Sequence, residues 1–396
     1  MKTELLAPAG TLEKAKIALL YGADAVYVGG KQFSLRARAS NFELETIKEL
    51  VDFAHNLNKA VYVTMNIVFH EADMDGLDNY LIALDSLGVD AIIVSDFYVI
   101  ERAKRMTDLE IHLSTQFSVT NALLADFFFD EGIKRVVLAR ELSLDEIKII
   151  SEKTKVDLEV FIHGGMCVSY SGRCTLSNYT ALRDANRGGC AHTCRWLYDL
   201  YEKNELLSEN FDFQMSSKDL EATEFVYKLL DMKITSLKIE GRMKSIHYIA
   251  TVVNAYRCLI DDYYNQRLKD MEYYQEEIKK AENRLTSHGF FKGETTIAEQ
   301  LYNSRSEAPT KEFVGIIIDY DRLTKVLTIE QRNFFKVGDI LEIFTPSKTL
   351  LRFKVKQLIN QENQIIEIAR HPLEILKIPF EVSVPKYSLI RRVRNE

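Results

Sequence analysis

Four of the chain's five cysteines lie within 28 residues, a density that indicates a metal or redox centre. They are Cys167, Cys174, Cys190 and Cys194, with six, fifteen and three residues between successive members. In a reducing compartment such a cluster favours a bound metal over disulfides. Four thiolates suit a four-iron four-sulfur (4Fe-4S) cluster or a tetrahedral zinc ion. Structural zinc sites usually carry two CxxC pairs, which this spacing lacks, so the spacing favours iron and sulfur, with zinc and free thiols as alternatives.

A cysteine nucleophile is the other chemistry open to this cluster. His163 lies four residues before Cys167 and is a candidate general base for it. That interpretation leaves three cysteines without a function. The sequence also has neither the HExxH motif of zinc proteases nor the GxSxG motif of serine hydrolases. Cys258 lies on the apolar face of a predicted helix and is expected in the core.

Up to about residue 260 the chain alternates short β-branched runs with amphipathic stretches, which predicts parallel strands joined by helices. Eight strands are predicted, at Leu5–Ala9, Ala25–Gly29, Ala60–Ile67, Ala91–Asp96, Ile111–Gln116, Arg135–Arg140, Leu158–His163 and Ser236–Glu240. Eight such repeats predict an α/β fold of the closed (β/α)8, TIM-like class. An open doubly wound sheet shares the alternation but usually has fewer strands, and no GxGxxG or GxxxxGK loop follows the first strand here.

Polar residues at the carboxyl ends of barrel strands are expected to converge in the barrel mouth. Those residues are Asn66, Asp96, Gln116, Arg140, His163, Glu240 and Arg242. Glu240 and His163 are candidate catalytic proton carriers. Arg140 and Arg242 are candidates for binding a carboxylate or phosphate, as are Arg36 and Arg38 on the loop after the second strand. The alternative is that several of these side chains pair with one another as a polar plug.

Three segments are predicted along the chain. Residues 1–260 form the barrel, with a Cys-rich insertion at about 165–215 after strand seven. A loop leaving that end of a strand lies on the rim where barrel enzymes place their active sites. Residues 261–305 form a helical extension or linker, and residues 306–396 form a small all-β barrel domain. Strands are predicted in it at Phe313–Ile318, Val326–Ile329, Ile340–Phe344, Phe353–Leu358 and Ile365–Ala369.

The composition excludes several classes of protein. With 46% hydrophobic residues and only 6 prolines among 396, the chain can build a large core, which excludes a mainly disordered protein. Its apolar runs are far shorter than the roughly 18 residues that cross a bilayer, and no signal peptide is recognisable. We therefore expect a cytoplasmic protein with no membrane partner.

Charge is distributed unevenly along the chain. Residues 311–396 carry a net charge of +4, against −11 for the remainder. The basic end could bind a polyanion, with Arg391, Arg392 and Arg394 as candidate phosphate contacts. An ordinary solvated surface would have the same composition.

The segment Glu159–Ser177, which reads EVFIHGGMCVSYSGRCTLS, resembles the signature of the U-thirty-two (U32) peptidase family of collagenase-like proteins. Further segments similar to the family occur along nearly the whole chain. They are ELLAPAG at 4–10, YGADAVY at 21–27, SLRAR at 34–38, SLDEI at 143–147, SSKDL at 216–220, SLKIEGR at 236–242 and NFFKVGD at 333–339. Within the family, the chain is most similar to the branch that hydroxylates tRNA.

The resemblance implies an enzyme that converts the wobble uridine of tRNA to 5-hydroxyuridine without molecular oxygen. It further implies prephenate as co-substrate, an iron–sulfur cluster held by the four clustered cysteines, and a second family paralogue as a candidate hetero-partner. The two carboxylates of prephenate would give Arg36, Arg38, Arg140 or Arg242 a ligand. The wobble base is unpaired in the anticodon loop, so it can enter the mouth without the cost of opening a duplex.

Three alternatives remain open. The family name implies a collagenase-like peptidase, which would be a hydrolase. Sister branches imply hydroxylation of ribosomal RNA or of a quinone precursor. A non-enzymatic RNA-binding scaffold is the third.

Overall fold

The computed structural model describes residues 2–35, 42–209, 213–281, 284–301, 313–347 and 349–392. The first eleven strands are β1 Glu4–Pro8, β2 Ala25–Gly29, β3 Ala60–Met65, β4 Ala91–Val94, β5 Glu110–Leu113, β6 Arg135–Val137, β7 Asp157–Gly164, β8 Tyr201–Glu202, β9 Glu205–Leu206, β10 Asp219–Glu221 and β11 Ser236–Ile239.

Eight of these strands form a closed parallel barrel. β11 and β1 to β7 are hydrogen-bonded in that order, and β11 closes the ring by pairing with β7, for example at Leu237 and Val160. The short apolar strands are buried because helices cover the outside of the barrel and side chains fill its interior. The predicted (β/α)8, TIM-like barrel is confirmed.

Helices follow the barrel strands and pack against them, which fixes the position of the carboxyl ends of the strands. They are α1 Leu12–Leu20, α2 Leu44–His55, α3 Leu77–Ser86, α4 Phe97–Met106, α5 Ala122–Asp130, α6 Leu144–Lys153, α7 Leu176–Ala181, α8 Thr223–Asp231, α9 Ile246–Tyr264 and α10 Met271–Lys279. Local sequence fixes several helix starts: Ser143 and Glu146 form a capping box on α6, and the side chain of Asn121 caps α5. In the described part of the chain, no helix has both the length and the apolar character that crossing a bilayer requires.

The insertion between β7 and β11 contains α7, the β8–β9 hairpin, β10 and α8. Its cysteine-bearing part is held to neighbouring loops by polar contacts. Arg187 forms an ion pair with Asp73 on the loop before α3 and donates to the Val68 carbonyl at 3.1 Å. Glu141, on the loop before α6, accepts from the backbone N–H of Ser171 at 2.7 Å. The insertion is therefore fixed over the barrel mouth.

The chain ends in an all-β domain, which we call the β domain. Its strands are β13 Phe313–Asp321, β14 Val326–Gln331, β15 Phe335–Lys336, β16 Ile340–Phe344, β17 Leu350–Lys354, β18 Leu358–Ile359, β19 Ile365–Ile366, β20 Ile368–Ala369, β21 Ile375–Pro379 and β22 Leu389–Arg392, whereas β12 Thr286–Ser287 pairs with β10. Eight of them form an antiparallel half-barrel in the order β17-β16-β22-β13-β14-β21-β18-β19. The predicted small β domain is confirmed, although the sequence analysis predicts neither β21 nor β22.

The barrel and the β domain share an apolar interface. Phe313, Phe344 and Leu389 of the β domain belong to the same buried cluster as the barrel core. The hydroxyl of Tyr21, at the end of α1, lies 2.7 Å from the Phe344 carbonyl oxygen and 3.1 Å from that of Tyr387. The division of the chain into segments at about residues 260 and 305 stays a prediction.

Candidate active site

A cavity of about 660 Å³ opens at the carboxyl ends of the barrel strands, beneath the Cys-rich insertion. Five of the seven polar residues predicted to converge in the mouth line it: Asn66, Gln116, Arg140, Glu240 and Arg242. Asp96 is not among its lining residues, because its carboxylate caps α4 by accepting from the N–H groups of Tyr98 and Val99. Most of the predicted mouth is therefore brought together.

Glu240 follows β11 directly and lies against the start of the insertion. Its carboxylate accepts a hydrogen bond from the backbone N–H of Gly165 at 3.1 Å, and its own N–H donates to the His163 carbonyl at 2.8 Å. Gly164 makes this contact possible, because a Cβ there would lie 2.5 Å from the Glu240 carbonyl oxygen. The backbone of Gly164 is also left-handed, with φ of 108°. The two strand ends are thus in direct backbone contact.

The two predicted arginines occupy different walls of the cavity. Arg140 donates to the Gly165 carbonyl at 2.5 Å, and its guanidinium lies 3.7 Å from the centre of the Phe161 ring. Arg242 is buried and donates to the hydroxyls of Ser34 and Thr64 at 2.9 and 3.2 Å. Two guanidiniums on the walls of one cavity suit it to bind an anion. Arg36 and Arg38 lie outside the described residues.

Lys238 is a cavity residue that the sequence analysis does not predict. It is buried in β11, and its ammonium lies 2.6 Å from the carboxylate of Glu159 and 4.7 Å from the centre of the Tyr27 ring. Burial lowers the pKa of Lys238, and Glu159 opposes that shift. Burial also disfavours the Glu159 carboxylate, but Lys238 and Arg135 together hold its pKa at about 2. Side chains alternate between the two faces of β7 and β11, and this alternation is the sequence signal from which Glu159 and Lys238 could be predicted to face the barrel interior.

His163 lies beneath the cavity and is not among its lining residues. The ring is buried, with its Nδ1 3.3 Å from the hydroxyl of Tyr256. Burial and the nearby Lys244 lower the pKa of His163 to about 3, and Glu240 opposes them. The imidazole is therefore neutral near pH 7, and the structure gives no support to its predicted role as a catalytic proton carrier.

Three of the four clustered cysteines, Cys167, Cys190 and Cys194, line the cavity. All four are free thiols, and Cys174 accepts the backbone N–H of Leu176 at 3.3 Å. Burial raises the pKa of the Cys194 thiol to about 11, Arg195 opposes that shift, and the other three clustered cysteines add to it. The four thiols are therefore within electrostatic reach of one another.

The donor set fits a metal centre chemically. No three of the described histidine, cysteine, aspartate or glutamate side chains converge as closely as a bound ion requires. Cys167 and Cys190 are nevertheless exposed, so their thiols have room to rotate toward a common point. A bound cation would also stabilise the thiolate of Cys194, whose pKa is raised by burial and, to a smaller extent, by the other three cysteines. The same four cysteines are thus the residues that could hold a cluster or a zinc ion.

The arginines predicted as phosphate contacts in the β domain are already engaged. Arg391 is 2% exposed and pairs with Glu342, so the prediction that it contacts phosphate is wrong. Arg392 pairs with Asp339 at 3.4 Å. Arg394 lies outside the described residues. The net charge of the segment did not reveal that its carboxylates lie beside these arginines.

The barrel segment and the β domain each match a protein-family model. Residues 10–300 match the model described as Peptidase family U32, and residues 309–391 match Peptidase family U32 C-terminal domain. The chain belongs to peptidase family U32. The family match covers the cavity, the insertion and the β domain.

Family U32 relatives of this chain carry different functional names. The chain is 44% identical to "tRNA hydroxylation protein P1" of Bacillus subtilis strain 168, over 99% of this chain and 95% of that protein. It is 38% identical to "23S rRNA 5-hydroxycytidine C2501 synthase" of Escherichia coli K12, over 67% of this chain and 40% of that protein. It is 31% identical to "Collagenase" of Porphyromonas gingivalis W83, over 99% of this chain and 98% of that protein. Family membership alone therefore does not separate RNA hydroxylation from proteolysis.

Proposed function

We propose that this U32 protein is a tRNA-modifying hydroxylase, or a subunit of one, that converts the wobble uridine to 5-hydroxyuridine. The observation that carries the proposal is the 44% identity with a tRNA hydroxylation protein over 99% of the chain. The cavity supports it, because it opens to solvent at the rim and has room for a nucleobase. An unpaired base in an anticodon loop can enter such a mouth without the cost of breaking base pairs.

The charge of the cavity wall favours an anionic co-substrate. Among the described residues, its lining includes two carboxylates, Glu141 and Glu240, and six lysines and arginines: Arg140, Arg195, Lys238, Arg242, Lys244 and Arg284. Carboxylates behind the wall pair with three of these cations: Glu159 with Lys238, and Asp219 with Lys244 and Arg284. We assign Arg140 and Arg242 to the two carboxylates of prephenate, which is the proposed co-substrate, with Arg36 and Arg38 as further candidates. Guanidinium groups bind carboxylates through two parallel hydrogen bonds, which fixes orientation as well as charge.

We assign a 4Fe-4S cluster to Cys167, Cys174, Cys190 and Cys194, with zinc as the alternative. When bound, such a cluster supplies electron transfer or Lewis acidity to an oxygen-independent reaction. The chain's own contribution is to place three of the four thiols, those of Cys167, Cys190 and Cys194, at the cavity wall, and to provide a backbone N–H donor, that of Leu176, to the sulfur of Cys174. Glu240 is the candidate acceptor for the proton that leaves C5 of the base, because its carboxylate is on the cavity wall.

The decisive test is a mass analysis of tRNA nucleosides from cells that lack the gene and any redundant paralogue. We expect the 5-hydroxyuridine-derived nucleosides to disappear and to return with the wild-type gene. Cys190→Ala should fail to restore them and should yield a colourless protein where anaerobically purified wild type is brown. An unchanged nucleoside pool would contradict the proposal, and colourless wild-type protein with stoichiometric zinc would contradict the cluster.

The second candidate function is a collagenase-like peptidase, which the similarity to the P. gingivalis protein favours. It predicts peptide cleavage that survives removal of iron and is lost on altering one cysteine or His163. The position of His163 argues against it, because the buried ring does not line the cavity and its pKa of about 3 makes it a weak base for a thiol. Hydrolysis of collagen peptides by the purified protein decides between the two. Ribosomal RNA hydroxylation, suggested by the E. coli relative, would appear in the same nucleoside analysis of rRNA.

A further inference from the structure

The Cys-rich insertion presents an exposed aromatic and basic surface beside the cavity, which we call the insertion face. It consists of the exposed residues Tyr170, Arg173, Tyr179 and Trp196, together with the half-buried Arg183. Tyr170, Tyr179 and Trp196 are 54%, 83% and 47% exposed. Large aromatic side chains are rarely left in water in such numbers on one short segment, so they indicate a binding surface.

The elements that carry the insertion face are packed firmly together. Ser177 of α7 is buried and lies 3.4 Å from the hydroxyl of Thr193, in the short turn that precedes Trp196. The same Ser177 hydroxyl accepts the N–H of Ala191 at 3.1 Å. Together with the ion pair between Arg187 and Asp73, these contacts give the exposed rings a fixed support.

The charge of the insertion face is uncompensated. Residues 168–197 contain four arginines and one acidic residue, in a chain whose net charge is −7. Arg187 is paired with Asp73, but Arg173, Arg183 and Arg195 form no ion pair within the part of the chain that the structure describes. The Nε of Arg183 is also buried without a hydrogen-bond partner there. In the β domain, by contrast, Arg391 and Arg392 are bound by carboxylates.

We propose that the insertion face binds an unpaired RNA loop, with its aromatic rings stacked on bases and its arginines contacting phosphates. The inference rests on the proposed function for its choice of RNA as substrate. Exposed aromatics interleaved with free cations are what single-stranded nucleic acids bind, because every base has a stacking face and every linkage a negative charge. Binding to a partner protein of ordinary composition would account for the exposed aromatic rings but not for the arginines beside them.

The insertion face is placed to deliver a base into the cavity. Ser171 and Gly172, which lie between Tyr170 and Arg173, line the cavity, and so does Arg195, which precedes Trp196. A loop held on these side chains therefore has its bases at the rim of the mouth. This assigns the main RNA contact to the insertion and gives the β domain a supporting role.

Binding of an RNA hairpin with an anticodon stem and loop to the full-length protein tests the stacking. We expect Tyr179→Ala and Trp196→Ala each to weaken binding by about five-fold or more, the usual loss for one stacked base. Phe127→Ala is the matched control, because Phe127 is 51% exposed on α5 and should leave affinity unchanged. Equal affinity of wild type, Tyr179→Ala and Trp196→Ala would overturn the proposal.

The salt dependence of the same binding tests the phosphate contacts. Arg173→Ala should reduce the slope of log affinity against log salt by about one, because one phosphate contact is lost. Arg370→Ala, at an exposed arginine of the β domain, is the matched control and should leave the slope unchanged. The reverse pattern would place the phosphate contacts on the β domain and overturn the proposal.

Complementation separates failure of this inference from failure of the proposed function. If the wild-type gene and the double variant Tyr179→Ala with Arg173→Ala restore the modified nucleosides equally well, the proposed function is supported and the proposed role of the insertion face is contradicted. If the wild-type gene restores none of them, the proposed function is contradicted. Loss of a dimer of this chain in Tyr179→Ala, without loss of RNA affinity, would identify a second copy as the occupant and overturn the inference.

Discussion

Lys238 is a cation that the barrel holds out of water at the wall of the cavity. Its partner Glu159 also contacts Arg135, which in turn contacts Glu4, so the charge belongs to a buried network that fills the barrel interior. Such a network holds its members in one geometry, because each charge would be costly without its partners. Lys238 is therefore well suited to hold one end of an anion in a fixed position.

Removing Lys238 should separate its structural from its functional contribution. Lys238→Met leaves Glu159 buried with one cation fewer, and we expect a loss of about 3–5 kcal/mol in the free energy of unfolding. The double variant Glu159→Gln with Lys238→Met should recover most of that loss, because the unpaired charge is gone. Urea denaturation measures both. tRNA hydroxylation should remain low in the double variant, and full activity there would show that Lys238 does not bind the co-substrate.

The buried histidines predict an acid-sensitive fold. Burial and the nearby Lys244 lower the pKa of His163 from 6.5 to about 3, and burial and Arg391 do the same for His247. Because the unfolded chain takes up these protons first, stability is complete above about pH 6.5 and falls as the pH drops toward 3. Each histidine contributes at most about 1.4 kcal/mol per pH unit to the slope of the free energy of unfolding against pH.

Urea denaturation at a series of pH values checks this assignment. His163→Gln should reduce the slope between pH 6.5 and 3 by about one proton, independently of its own effect on stability at neutral pH. His55→Gln is the control, because His55 is exposed and pairs with Asp90 on the surface. An unchanged slope in His163→Gln would mean that the ring is already protonated in the folded protein.

At the scale of elements, the turn from β7 into the insertion depends on Gly164. Gly164→Ala would bring a Cβ within 2.5 Å of the Glu240 carbonyl oxygen, in a left-handed backbone conformation that alanine disfavours. We expect the variant to lose several kcal/mol of stability, on the order of a serious overpacking, and to misplace the cysteines. Gly172→Ala is the matched control, since its φ of 74° is also left-handed but nothing lies within 4 Å of its Cβ.

Thermal unfolding and metal content measure the two effects. The control Gly172→Ala should cost only about 1 kcal/mol, the price of a left-handed alanine, and should keep the metal content of wild type. If Gly164→Ala unfolds at the same temperature as Gly172→Ala, the close approach of the two strand ends does not hold the insertion.

At the scale of the whole molecule, the sequence predicts repeating patterns better than contacts between distant segments. Eight strands and the position of the insertion follow from hydrophobic periodicity, which each segment carries by itself. Periodicity does not predict the Glu159–Lys238 pair, because the pair depends on the register between β7 and β11. It does not predict the burial of Arg391 either, because Glu342 and Glu277 lie far from Arg391 in the sequence. Charge counted along a segment does not show which cations remain free.

The β domain and the barrel both contribute residues to the wall of the cavity. Phe313 and Asn333 of the β domain line the cavity, and His247 of α9 stacks on Phe313 with ring centres 5.4 Å apart. A molecule with this interface should unfold in a single transition, because separating the two parts would expose the shared core. It should also lose the outer wall of its cavity whenever the β domain detaches.

Tyr21 is the residue through which that docking can be weakened most selectively. Tyr21→Phe keeps the buried ring but removes the only hydroxyl that reaches the Phe344 and Tyr387 carbonyl oxygens among the described contacts. Leaving the buried Phe344 carbonyl without that donor should cost about 1–3 kcal/mol, and limited proteolysis should then cut between the barrel and the β domain more readily. Tyr98→Phe, at a half-exposed ring on α4, should change neither the stability nor the cleavage. Wild-type resistance in Tyr21→Phe would show that this hydroxyl is not needed to hold the β domain against the barrel.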